Sequence, residues 1–151
     1  MARPTKRVEQ LPRQMRVTVG GRYWALFFVR SLPSMWGVTD SPKRKNKSIR
    51  IRRRLGSQDL LDTLIHELLH AAEWDAGEEW VDKIGTHTAL VLTLAGWGRN
   101  GGEVGSITDL SKMICACLRL SKLYLDHDKW AIQTSNDIAT ILWKLGWRLN
   151  K

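Results

Sequence analysis

Cysteine is scarce in this sequence: Cys115 and Cys117 are the only two among 151 residues. Two positions along a helix correspond to a rotation of about 200°, so this pair suits neither a disulfide nor a metal clamp. Long apolar runs are also missing, because no stretch approaches the roughly 20 residues that span a bilayer. Residues 1–14 lack the apolar centre of a signal peptide. We therefore expect a cytoplasmic protein of single-domain size with no membrane partner.

Acidic residues are nearly absent from the first third of the chain. Residues 1–54 hold 15 Lys and Arg against 2 acids, a net charge of +13, whereas residues 55–151 carry −4. The segment 43–54, KRKNKSIRIRRR, contains 8 of these cations. Such a surface favours phosphate contacts, which makes Arg50, Arg52 and Arg53 candidate contacts to DNA, to a DNA-bound protein or to an acidic substrate. The alternative is an edge strand whose charges protect it from aggregation.

The hydrophobic pattern changes from strand-like to helical at Ser57. Residues 1–14, which are basic and interrupted by prolines, are predicted to be a disordered arm. The segment RVTVGGRYWALFFVR predicts a hairpin with strands at about 15–19 and 22–30. A loop with Pro and Gly follows, and then SIRIRR predicts a half-buried strand with a cationic outer face. The fold class is therefore α+β, with a small antiparallel or mixed sheet packed on a helical layer and a C-terminal helical hairpin. Helices are predicted at about 57–72, 78–95, 107–124 and 129–146.

The last two predicted helices repeat features of the first two. A shift of 50 residues gives 8 identities over the 39 positions from 59 to 97, and each copy ends in Gly-Trp. Either a duplicated helical hairpin or the frequent use of Leu and Ala in helices explains these matches. Residues 98–151 are predicted to extend the same compact domain. A duplicated second copy would be a packing partner without chemistry, because Ala116, Cys117 and Leu120 stand where the first copy has His66, Glu67 and His70.

The motif HELLH at residues 66–70 has the spacing of a metal site. Residues four apart lie on one helix face about 6 Å apart, so His66 and His70 can offer two imidazole nitrogens to one zinc ion. Glu67 is rotated about 100° from His66, where it can take a proton from an activated water and pass it to a leaving amine. The residues that flank His66, Glu67 and His70 are uncharged, so the helix is predicted to be buried. Burying these three polar side chains without partners costs free energy, and a bound metal removes that cost. The alternative is two core histidines satisfied by hydrogen bonds.

The segment TLIHELLHAA, residues 63–72, resembles the active-site helix of the zincin metallopeptidases. Residues 15–97 resemble the minimal zincin-like domains related to SprT-like and ImmA-type proteins, which are often encoded by phages or bacteria. The resemblance implies that His66 and His70 are zinc ligands and Glu67 is the general base. It also implies that Ser48 to Arg53 is an edge strand that holds an extended substrate by strand addition.

These features lead to two expectations for the function. The first is a zinc metalloendopeptidase that acts on a protein or peptide. The alternative is a basic nucleic-acid-binding accessory protein with a structural or vestigial metal site. Zinc content and loss of proteolysis on replacing Glu67 would separate the two.

Two residues are candidates for the third zinc ligand. Gluzincins supply a glutamate from the following helix, which matches Glu78, whereas SprT-like proteins supply a third histidine, which matches His87, 17 residues after His70. In a helical hairpin that turns near residue 75, Glu78 is better placed to reach the histidine pair, whereas the side chain of His87 faces that pair more directly. Asp82, one turn after Glu78, is placed to brace a ligand histidine. Glu78 is the first choice and His87 the alternative.

Overall fold

The computed structural model describes residues 10–99, 105–120 and 127–149. Within these ranges the chain forms a small mixed sheet and four helices, which confirms the α+β class. None of the described helices has both the length and the apolar character needed to cross a membrane. The elements are β1 (Gln14–Val19), β2 (Arg22–Val29), β3 (Gly37–Thr39), β4 (Ser48–Arg52), α1 (Ser57–Ala72), α2 (Glu78–Leu94), β5 (Trp97–Gly98), α3 (Ile107–Arg119), α4 (His127–Lys144) and β6 (Arg148–Leu149).

The main sheet has the strand order β1-β2-β4-β3. β1 and β2 form the predicted hairpin around Gly20 and Gly21, whose φ angles of 59° and 73° are ones that glycine adopts readily. β2 then pairs in parallel with β4, and β4 pairs antiparallel with β3. The prediction that Ser48 to Arg53 is an edge strand is therefore wrong, because β4 has a partner on each side. The edge strand next to β4 is β3, and β1 forms the other edge. The segment of β3 is predicted to be a loop, since three residues are too few to show a period.

The sheet has one buried face and one open face. The side chains that point to the helices are almost fully buried, and those that alternate with them are partly or fully exposed. Burying one large apolar side chain contributes about 1.5–3 kcal/mol, so this alternation fixes the register of the strands. α1 contacts β1, β3 and β4 on the buried face. The buried residues of the four strands include Val17, Val19, Trp24, Leu26, Phe28, Ile49 and Ile51.

α1 is buried around most of its circumference, as the uncharged residues that flank His66, Glu67 and His70 predict. Nine of its 16 residues are buried, and Glu67 is the charged residue among them. The helix contacts the sheet on one side and α2 on the other. Its polar residues are therefore held by a rigid, well-packed element.

α3 and α4 pack against each other as α1 and α2 do. Positions separated by 50 residues meet between the two pairs: the ring centroids of Trp80 and Trp130 lie 5.9 Å apart, and β5 pairs antiparallel with β6. Gly96 and Gly146, which precede these strands, adopt nearly the same φ, 96° and 97°. Duplication of a helical hairpin stays a prediction, and these matched positions favour it.

Several predicted boundaries shift in the structure or lie outside the described residues. Within the predicted arm, Leu11 is buried and Gln14 begins β1, so residues 10–14 belong to the fold, and residues 1–9 lie outside the described ranges. The third helix ends at Arg119, before the predicted end at 124, and residues 121–126 are not described. Cys115 and Cys117 are both free thiols, as expected.

Candidate metal centre

His66 and His70 lie one turn apart on α1, on the part of its surface that remains partly exposed. Their Nε2 atoms are 3.1 Å apart and their ring centroids 4.8 Å apart. Each side chain keeps 16% of its surface exposed. The two imidazoles therefore share one face of the helix, as the spacing of the motif predicts.

Glu78, the first residue of α2, completes a cluster with the two histidines. Its Oε1 lies 3.0 Å from His66 Nε2, and its Oε2 lies 2.9 Å from His70 Nε2. One candidate ligand atom from each of the three residues lies within 4.8 Å of the other two. His87 is exposed on α2 and is not part of this cluster. Of the two candidates for the third ligand, the fold brings Glu78 to the histidines.

The chemistry of this cluster fits a small divalent cation. Two imidazole nitrogens and one carboxylate form a donor set that metal ions bind in many proteins. Ligand atoms about 2.0 Å from a tetrahedral ion lie roughly 3.3 Å from one another. The contacts of 2.9–3.1 Å among these three side chains are close to that value. The cluster is thus nearly preformed for an ion.

Asp82 contacts His66 from the side opposite the cluster. Its Oδ1 lies 3.1 Å from His66 Nδ1, so the carboxylate can accept the Nδ1–H and leave Nε2 free for a ligand bond. α2 packs closely on α1 at this point, since a Cβ at Gly85 would lie 3.4 Å from the Cα of His66, in ordinary van der Waals contact. Asp82 thus lies where the sequence predicts a residue that braces a ligand histidine.

Glu67 lies between the histidine cluster and the sheet. Its side chain is 8% exposed, and its Oε1 lies 4.0 Å from His66 Nε2. Its Oε2 accepts a hydrogen bond of 2.6 Å from the hydroxyl of Thr39. Burial raises the pKa of Glu67, although the hydrogen bond from Thr39 and the nearby histidines His66 and His70 offset part of that rise. One carboxylate oxygen is thus anchored while the other faces the cluster, an arrangement suited to proton transfer.

β3 contacts α1 through a glycine. A Cβ at Gly37 would lie 2.7 Å from Cγ and 2.9 Å from Oε1 of Glu67, and 2.9 Å from Cγ2 of Thr63. Any side chain at position 37 would therefore displace either the strand or the Glu67 carboxylate. Gly37 and Thr39 point to the same side of β3. The sequence predicts neither role, because three residues are too few to signal this strand.

The cluster lies in a cleft of about 880 Å³ lined by residues of β3, α1 and α2 and of the loops beside them. β3 is the last strand of its sheet, so its outer edge has no strand partner among the described residues. Three large side chains that line the cleft are exposed: Met35 (44%), Trp36 (48%) and Trp74 (42%). On the helical side, Asp62 accepts a hydrogen bond from Thr86, and burial raises the pKa of Asp62. The cleft thus combines an apolar rim with an acidic wall.

The predicted contact residues Arg50, Arg52 and Arg53 do not line this cleft. The guanidinium groups of Arg52 and Arg53 donate to the carbonyl oxygens of Leu32 and Leu11, at 3.2 Å and 2.6 Å, and so tie neighbouring loops to the sheet. The Arg50 side chain is 44% exposed, and its guanidinium lies 4.0 Å from an Asp40 carboxylate oxygen. These three arginines therefore contact other parts of the chain and not the cleft that contains the histidine cluster.

No family model, curated protein or solved structure matches this chain. Only the geometry of the site therefore indicates its chemistry. That geometry defines a candidate metal centre built on two consecutive helices, with a buried carboxylate beside it and an unpaired strand edge along the cleft.

Proposed function

We propose that this chain is a zinc-dependent metallopeptidase of minimal zincin type. The observation that carries the proposal is the convergence of His66, His70 and Glu78 at ligand distances, with the Glu67 carboxylate beside them. Two histidines and a glutamate are a donor set of catalytic zinc in metallopeptidases. The order of the elements supports the same proposal, because the sheet precedes the HELLH helix and the glutamate follows on the next helix.

The residues around the cluster have separate roles in the proposed reaction. Zinc, when bound, makes water a better nucleophile and polarises the peptide carbonyl. Glu67 accepts the proton of the attacking water and delivers it to the leaving amine, for which a raised pKa is favourable. Thr39 fixes one oxygen of Glu67. Asp82 keeps His66 in the tautomer that presents Nε2.

The unpaired edge of β3 supports a peptide as the substrate. An extended peptide can pair with such an edge as an additional strand, which gives main-chain binding without strong sequence preference. Gly37 to Thr39 line the same cleft as the histidine cluster. A peptide bound along β3 would therefore pass beside His66 and Glu67. In this proposal the strand that binds the substrate by strand addition is β3, and not the segment Ser48 to Arg53.

A purely structural metal site is supported less well by the geometry. Structural zinc sites are closed by four protein ligands, whereas catalytic sites keep one position open. Within the part of the chain that the structure describes, the cluster contains three ligand residues and opens into the cleft. An open coordination position beside a buried carboxylate is the arrangement expected of hydrolysis.

Zinc content and proteolysis, measured on the same preparations, test the proposal. We expect about one equivalent of zinc per chain and cleavage of a peptide library made by digesting denatured proteins. Glu67→Gln should keep the zinc and lose cleavage by at least about 100-fold, since a general base contributes at least that factor. His70→Ala should lose the zinc. Glu79→Gln is the matched control, because Glu79 is an exposed neighbour of Glu78 outside the cluster.

Two results would contradict the proposal. Cleavage that persists in Glu67→Gln would assign the activity to another group or to a contaminant. Zinc bound by the wild-type chain without cleavage of any library peptide would favour a structural site. Circular dichroism of each variant shows whether the fold is kept.

A further inference from the structure

The open face of the sheet displays arginines beside aromatic rings. Arg16 is exposed, Tyr23 is 62% exposed, and Phe27 and Arg50 are partly exposed. The guanidinium carbon of Arg16 lies 3.8 Å from the centroid of the Tyr23 ring. Aromatic rings usually face the core in a small domain, so the exposure of Tyr23 and the partial exposure of Phe27 on one face need an explanation.

The strand register arranges these side chains in rows. One row crosses all four strands and contains Gln14, Phe27, Arg50 and Val38. Neighbouring strands are about 4.8 Å apart, so the Phe27 ring and the Arg50 side chain adjoin. In the next rows, Arg16 lies opposite Ala25, and Tyr23 lies opposite Thr18. Each of the two rings therefore lies beside an arginine on the open face, Tyr23 beside Arg16 and Phe27 beside Arg50.

The charge of this part of the chain is almost entirely positive. Residues 10–56 contain 12 Lys and Arg, and Asp40 is their single acidic side chain. Asp40 is already engaged, since its carboxylate accepts hydrogen bonds of 2.9 Å from both the backbone N–H and the hydroxyl of Ser48, and one of 3.0 Å from Arg44. A surface hollow of about 470 Å³ beside it is lined by Asp40, Arg44, Lys45, Asn46, Ser48 and Arg50. Most of these cations are not balanced by acids of the same segment.

We propose that the open face and this hollow bind single-stranded nucleic acid. Bases stack on Tyr23 and Phe27, while phosphates contact Arg16, Arg50 and the loop 43–47. Aromatic rings accept any base by stacking, and cations interleaved with them follow the backbone. A duplex keeps its bases inside and an acidic protein offers charge without bases, so neither uses the exposed rings. The inference is independent of the proposed peptidase, because Arg16, Tyr23, Phe27 and Arg50 do not line the metal cleft.

Fluorescence anisotropy with labelled oligonucleotides tests this inference on the full chain. The probes are an oligo(dT), an oligo(rU) and a duplex of the same length, titrated at several salt concentrations. We expect tighter binding of the single strands than of the duplex, and affinity that falls with salt. The comparison of oligo(dT) with oligo(rU) identifies which sugar is preferred.

Four substitutions separate stacking from charge. Tyr23→Ser and Phe27→Leu should each weaken single-strand binding at least about fivefold, as expected for one lost stack. Arg16→Gln and Arg50→Gln should each reduce the slope of log affinity against log salt by about 0.7. Lys83→Gln is the matched control, because it removes one exposed positive charge from α2 and should leave binding unchanged.

Three results would overturn the inference. The first is an absence of oligo(dT) and oligo(rU) binding at low salt. The second is an equal loss of affinity in Lys83→Gln and Arg16→Gln, which would mean that net charge alone is responsible. The third is duplex binding as tight as single-strand binding and unaffected by Tyr23→Ser. Because Tyr23 is largely exposed, its replacement is not expected to unfold the chain.

Discussion

The contact between Gly37 and Glu67 allows a sharp test of the site, because replacing a glycine by alanine adds only one methyl group. The added Cβ in Gly37→Ala would lie 2.7 Å from Cγ of Glu67 and 2.9 Å from Cγ2 of Thr63, well inside van der Waals contact. Both neighbours belong to the well-packed α1, so the overlap has to be relieved by movement of β3 or of the carboxylate. Overpacking of this kind costs about 1–3 kcal/mol.

The expected result has a thermal and a functional part. A loss of about 1–3 kcal/mol lowers the melting temperature of a domain of this length by roughly 2–12 °C. Displacement of Glu67 should reduce peptide cleavage at least about tenfold while zinc content stays unchanged, since none of the three ligand residues is touched. Differential scanning calorimetry, metal analysis and the cleavage assay provide the three readouts.

Gly77→Ala is the matched control for this experiment. Its Cβ would have no heavy atom within 4 Å, and its φ of −64° is ordinary for alanine. Because Gly77 is the N-cap of α2, a cost of up to about 1 kcal/mol is expected, without any effect on catalysis per bound zinc. Packing of β3 on the Glu67 carboxylate is contradicted if Gly37→Ala melts within a degree of the wild type and cleaves at the same rate.

Three further predictions concern individual hydrogen-bonded side chains, two of them in the metal cleft and one outside it. Thr39→Val should destabilise the chain by about 1.5–3 kcal/mol in urea denaturation and slow cleavage with zinc retained, because the Glu67 carboxylate loses a buried donor. Asp82→Asn should weaken zinc binding about 10- to 100-fold in a competition titration with a chelator, because His66 loses its bracing carboxylate. The third concerns Asp40: burial alone would raise its pKa, but hydrogen bonds from Ser48 and Arg44 hold it below the ordinary value. The pKa of Asp40 is lower in the folded chain than in the unfolded chain, where it is about 3.9. The stabilising contribution of Asp40 is therefore present above the unfolded pKa and is lost as the pH falls through the folded pKa. Urea denaturation should therefore show the stability gap between wild type and Asp40→Asn shrinking as the pH is lowered from about 6 to about 3.

The helical half of the site could be predicted from the sequence because its signals are local. A stripe of Leu at helical spacing locates α1, and the i, i+4 rule places His66 and His70 on one face. The reach of a short helical hairpin then favours Glu78 over His87, and the structure brings Glu78 to the histidines. The hairpin of β1 and β2 is predicted equally well by Gly20-Gly21 between two alternating segments.

The sheet side of the site could not be predicted, because it depends on contacts between distant segments. β4 pairs in parallel with β2 across an intervening loop, and no local pattern records which strand lies beside which. The alternation in SIRIRR shows that one face is buried, but an interior strand and an edge strand with one open face share that pattern. The close approach at Gly37 and the hydrogen bond from Thr39 both depend on the packing of β3 against Glu67, which no local pattern predicts.

The charges that line the metal cleft are opposite to those of the chain as a whole. The chain carries +9, yet the described residues that line the cleft include four carboxylates, those of Asp62, Glu67, Glu78 and Asp82, and neither Lys nor Arg. Two positive charges beside these carboxylates would offset part of the repulsion among them, and the Nε2 atoms of His66 and His70 lie 3.1 Å apart. A divalent cation supplies the same two charges at one point and turns that close approach into a shared set of ligand bonds. The acidic lining of the cleft and the close approach of the two histidines therefore favour a ligand role for them over that of hydrogen-bonded core residues.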